Sequence, residues 1–183
     1  MNEPEDLRED VAEEAAERGV EIDPERFAAL QEQMLREQSL PRALFAGILA
    51  GLVAAFVWGW ITKVTEYEIG WIAIGVGFLV GFAMRTFGKG VTPLYQVLGA
   101  VLAGLSVAMG KIMAITMMVA AEHDVGAWEL FSELSGGDMI AMLKETFSAM
   151  DFLFYAIALW AGWQYSLRQI SEQELRSVLR ESA

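Results

Sequence analysis

Two charges sit in or beside apolar runs, and they bound what chemistry this chain could perform. Lys111 interrupts a run that continues to Ala121, and Asp151 opens the uncharged run of residues 152–167. A helix entering a bilayer near Thr92 reaches Lys111 after about 28 Å of rise, at the edge of the hydrocarbon rather than its centre. Lys111, Asp151 and Glu68 therefore read as a membrane-edge ion pair, with a snorkelling lysine as the simplest form. An ion or proton site at that level is the functional alternative. Arg85 is the corresponding charge at the opposite edge.

Met109, Met113 and Met117 fall at i, i+4 and i+8, with His123 beyond them. Thioethers with an imidazole suit soft copper(I), but methionine is also an adaptable packing residue. With no cysteine and no second histidine, the stripe reads as a packing or partner face, together with Trp128 and Phe131. His123 beside Asp124 lacks a convincing serine nucleophile, and the paired carboxylates occur in solvated stretches. No catalytic residue, metal or cofactor is expected, and the chain reads as a non-enzyme. The glycine-rich GVGFLVG (residues 75–81) superficially matches a phosphate loop, which must follow a strand and face water. Here the glycines lie among Ile, Val, Phe and Leu, where their use is close helix approach. Gly47 with Gly51, Gly77 with Gly81, and Gly99 and Gly104 with neighbouring alanines supply such small-residue faces.

The elements that must position these residues follow from how charge is segregated. The chain has 183 residues, is 55% hydrophobic, and still carries a formal charge of −12. Residues 1–42 hold much of that charge, whereas residues 43–167 contain long runs with none. Runs near twenty apolar residues match the hydrocarbon thickness of a membrane. The expectation is an all-α, polytopic membrane protein, a four-transmembrane-helix bundle with short amphipathic flanking helices. Its spans cover residues 43–62, 69–87, 91–113 and 151–167, and an outer segment covers 122–150. The polar start argues against a cleaved signal peptide, so the first span should act as an uncleaved insertion signal.

Basic residues near the span ends set the orientation. Arg36, Arg42, Arg85, Lys89, Arg168, Arg176 and Arg180 gather on one side, against Lys63 and Lys144 on the other. Both termini are expected to be cytoplasmic. Trp58, Trp60, Tyr67 and Trp71 would anchor the outer interface, and Tyr95, Trp163 and Tyr165 the inner one. Asp23-Pro24 predicts an N-capped helix with Phe27, Leu30, Met34 and Leu35 on one side. Ser171 with Glu174 predicts a capping box before a C-terminal helix. Either terminal helix would dock a partner or pack on its own chain. In the outer segment, Trp128, Phe131 and Leu134 mark one short helix. Asp138 is read as the cap of a second, carrying Met139, Ile140, Leu143 and Phe147; both would lie on the leaflet or cap the bundle.

Residues 65–90 (TEYEIGWIAIGVGFLVGFAMRTFGKG), with MDFLFYAIALWAGWQYSLRQ further on, resemble a widespread uncharacterised bacterial family of small glycine-rich multi-span inner-membrane proteins. Gly70, Trp71, Ala73, Gly75, Gly77, Gly81, Arg85, Gly88, Gly90 and Asp151 carry the resemblance, which covers about residues 43–168. It implies a bacterial inner-membrane location and supplies no activity or catalytic residue.

The expected function is that of a structural or accessory membrane subunit, assembled with itself or a larger complex within the lipid bilayer. A small homo-oligomeric channel or transporter and a sensor of envelope state are the alternatives. No basic patch exists to neutralise phosphates, so nucleic acid is not an expected partner.

Overall fold

The computed structural model describes residues 21–65 and 71–180. They form eight helices and one two-residue antiparallel ladder. In chain order these are β1 (Glu21–Ile22), α1 (Pro24–Glu37), α2 (Leu40–Thr65), α3 (Ile72–Gly88), α4 (Pro93–Glu122), α5 (Ala127–Glu133), α6 (Gly136–Glu145), α7 (Ala149–Tyr165), α8 (Glu172–Val178) and β2 (Leu179–Arg180). The ladder pairs Glu21 with Arg180 and Ile22 with Leu179.

Four apolar helices make the body. α2 packs on α3 and α4, and α7 packs on the same two from the other side. α2 has 26 residues and α4 has 30, and both are long and apolar enough to cross a membrane. α3 and α7 have 17 residues each, or about 26 Å of rise. Glu68 and Tyr67 lie outside the described residues, as does the start of the second predicted span.

The interior of the four-helix body is filled mostly by small residues, with Trp58, Val76, Val80, Met84 and Val107 among them. Small residues turn inward: Ala43, Ala55, Ala73, Ala103, Ala158 and Ala161 are fully buried. Large apolar residues turn outward, with Phe45 72%, Leu105 61%, Phe152 73% and Trp160 59% exposed. Soluble monomers rarely expose contiguous apolar surface beyond a few hundred Å². Small residues at helix contacts let backbones approach closely, as they do in membrane-protein bundles.

Glycines mark the closest approaches. A methyl group on Gly77 would strike the Ala158 carbonyl oxygen of α7. One on Gly162 would stand 2.5 Å from the Gly99 carbonyl oxygen of α4. On α2, Gly47 faces Met84 and Leu102, and Gly51 faces the Ser106 hydroxyl and Val80. Gly81 lies against Tyr165 and Gly162, Gly99 against Ser166 and Gly162, and Gly104 against Leu159. Gly75, on the same helix as Gly77, has open space where a side chain would go.

The connections are short at the end that carries α1 and α8, here called proximal. α3 stops at Lys89, which takes a left-handed φ of 50° and donates its N–H to the Arg85 carbonyl; Pro93 then opens α4. At the distal end α4 continues eleven residues past Lys111, and α5 and α6 pack on it. Neither short helix buries a residue.

Two expectations need correction here. Asp138 is not the cap of α6. Ser135 is, its hydroxyl accepting the Asp138 N–H while the Asp138 carboxylate takes the Ser135 N–H, a reciprocal capping box. α6 then ends at Glu145, leaving Phe147 outside it. Nor are Trp58 and Tyr95 interfacial anchors. Trp58 is 5% exposed and Tyr95 3%, because Gly110 and Gly90 leave room for their rings.

Candidate functional site at the buried ion pair

The charges singled out in the sequence meet at the distal end. Lys111 Nζ lies 2.6 Å from Asp151 Oδ2 and donates to the Thr146 carbonyl at 2.8 Å. Both side chains are buried, so the lysine does not snorkel. Its partner is fixed from behind. Ser148 N-caps α7, and Asp151 is the third residue of the cap: Oδ2 also accepts the Ser148 backbone N–H at 2.7 Å and the Ser148 hydroxyl at 3.0 Å. One carboxylate oxygen thereby holds the start of α7 and a charge on α4, while the same lysine ties down the end of the α6 segment.

The arrangement is a clamp. Lysine alone in a low-dielectric interior is costly, and a paired, hydrogen-bonded lysine is much less so. Breaking such a pair by removing one partner typically costs about 3–5 kcal/mol, whereas replacing both by apolar residues can be neutral. Tyr155 follows one turn after Asp151 and stacks obliquely on Phe147 at 6.3 Å. Trp58 packs with Tyr155, Ile72 and Ala73. Trp58 Nε1 and Thr62 Oγ1 are buried with no hydrogen-bond partner among the described residues. The other buried hydroxyls, Ser106, Thr116 and Ser166, bond carbonyls four residues back on their own helices.

The methionine stripe is half-buried, with Met113 facing α2 beside Gly59. Met109 and Met117 share that partial burial. His123 caps the end of α4 on the exposed surface, donating its N–H to the Val119 carbonyl. Trp128 is exposed and stacks on Phe131 at 6.0 Å. These residues do not join the ion pair.

A second polar cluster, not anticipated from sequence, holds the proximal end. Glu37 Oε2 pairs with Lys89 Nζ at 3.2 Å and Arg168 Nη1 at 2.8 Å, and Arg168 also pairs with Glu174. Beneath it, Phe27, Leu30, Met34, Val91, Leu175 and Val178 form an apolar cluster. The terminal helices thus pack on each other and on the α3–α4 turn. Hydrogen bonds from Gln33, Arg168 and Lys89 hold the Glu37 carboxyl down at about 2, against an ordinary 4.5. Burial raises Glu174, but bonds from Ser171 and the Arg168 charge outweigh it and leave the carboxyl below its usual range. The Ser171–Glu174 spacing was readable as a capping box; its ion pair to Arg168 was not.

No protein family, curated protein or solved structure matches the chain.

Proposed function

We propose that this chain is a structural or accessory integral membrane protein. α2, α3, α4 and α7 all cross the bilayer, both termini lie on the cytoplasmic side, and the membrane is a bacterial inner membrane. One observation carries the reading: the interior is lined mostly by small residues while large apolar residues cover the outside, and Ser106, Thr116 and Ser166 inside bond carbonyls of their own helices. Such a bundle is built to stand in lipid and present faces. The Lys111–Asp151 clamp sets where α7 begins, and the Glu37–Arg168 cluster folds the terminal helices against the bundle.

The test is purification of the intact chain from native membranes in a mild detergent, with every co-purifying chain identified and its stoichiometry determined. A fixed partner chain, or a defined homo-oligomer, supports the proposal. A monodisperse monomer that moves a solute on its own would contradict it.

A homo-oligomeric channel or transporter is the second reading, favoured by the buried charge pair and by Trp58 Nε1 and Thr62 Oγ1, which are buried with no hydrogen-bond partner among the described residues. Lys111→Met should then change flux or selectivity in reconstituted vesicles. Unchanged flux removes this site from consideration.

A further inference from the structure

The lipid-facing side of the bundle carries a groove between α2 and α3 with a space of about 600 Å³. Its walls are apolar. Half-buried Ala46, Ala50 and Ala83 leave the depression, and Phe45 and Phe87 stand beside its proximal mouth. That mouth is level with the contact between Gly88 and Ala43, and Arg42 lines it.

Three features converge on one class of occupant. First, the groove runs along α2 from Pro41 to Val53, twelve residues and about 18 Å, close to the depth of a single leaflet in a hydrocarbon core of about 30 Å. Second, Arg42 is exposed, and no carboxylate pairs with it among the described residues, whereas Arg36 is held by Glu32 and both Lys89 and Arg168 by Glu37. Third, Arg42 lies in the first turn of α2, which contains no acidic residue, so the helix N-terminus adds positive potential at the same place.

We propose that this groove is a binding site for an anionic glycerophospholipid. One acyl chain lies between α2 and α3, and the phosphate is held by Arg42 at the proximal interface. The inference rests on the bundle standing in a membrane, and basic residues between spans at an interface are a general means of selecting anionic headgroups.

The full chain, reconstituted into bilayers of equal phosphatidylglycerol and phosphatidylcholine and re-extracted in mild detergent, is assayed for retained lipid by native mass spectrometry. The wild type should keep one phosphatidylglycerol per chain. Ala50→Phe and Ala83→Phe, which fill the groove from its two walls, should lose that lipid. Arg42→Gln should keep a lipid but lose about fivefold of the preference for phosphatidylglycerol. Retention by both phenylalanine variants at the wild-type level, or an unchanged headgroup preference in Arg42→Gln, overturns the proposal. So does efficient disulfide dimerisation of Leu49→Cys, which would seat a second copy in the groove. The chain has no native cysteine to confuse that result. A chain that washes off membranes in alkaline carbonate fails the membrane reading itself. An integral chain that retains no lipid fails only the groove.

Discussion

The two ends of the bundle are both closed by charged residues, by opposite physical means. The distal end uses one cation and one anion, both buried and sharing a carboxylate oxygen with a helix cap. The proximal end uses Glu37, Lys89, Arg168 and Glu174, all at least partly in contact with water, over an apolar cluster that carries the packing. A buried pair contributes through the penalty for separating it, and salt hardly reaches it. An exposed network contributes little per pair, about 0–1 kcal/mol, and is screened beyond about 10 Å at 0.1 M salt. The distal end should therefore behave as a rigid clamp and the proximal end as an adjustable latch.

The largest effect should come from Lys111→Ala, about 3–5 kcal/mol of stability in detergent or bicelles, from a buried carboxylate left short of its cation. Lys111→Met combined with Asp151→Leu should recover much of that loss, read by thermal or denaturant unfolding. A double variant as unstable as the single would mean that the pair does more than balance charge. Between the ends, Gly77→Leu should cost at least about 1–3 kcal/mol through collision with α7. Gly75→Ala, facing open space two residues earlier, should be neutral or stabilising by about 0.5–1 kcal/mol. Similar losses at both would contradict close packing at Gly77.

Arg168→Gln should cost about 1 kcal/mol or less, shrinking as salt rises. Its effect should add to that of Lys111→Ala, since the two sites share no partner. The smallest effect is on pH dependence. The folded-state pKa of Glu37 is depressed to about 2 from 4.5, so its contribution is complete above about pH 5 and fades as pH falls toward 2. Glu37→Gln should match the wild type at the acid limit and fall below it near neutral pH, with the gap visible in hydrogen exchange of α1. Equal exchange at every pH would remove Glu37 from the latch.

What was legible in the sequence divides along the same line. Lys111 and Asp151 could be set at one depth because helical rise converts residue number into height, and their separation is 2.6 Å. The Ser148-x-x-Asp151 cap was also legible in principle, as a serine three residues before an acid and an apolar run. The Thr146 carbonyl was not, since every residue carries one. The latch joins residues 52 and 131 positions apart, and no local pattern reports such a meeting. Trp58 and Tyr95 read as anchors in the sequence because aromatic residues near the ends of apolar runs face outward by default, yet both are buried. Only a glycine on a neighbouring segment, Gly110 or Gly90, gives the ring a place inside.

The most direct test of a membrane-spanning bundle with both termini on one side is single-cysteine labelling in sealed inner-membrane vesicles of known orientation. Exposed Ala29 and Ser177 report on the proximal end, Ser132 on the distal end, and Leu52 on the apolar belt. Cysteines at 29 and 177 should react with a membrane-impermeant maleimide from the cytoplasmic face. One at 132 should react only from the opposite face, and one at 52 from neither until the membrane is dissolved. Labelling of all four from one face would show that the bundle does not span the membrane.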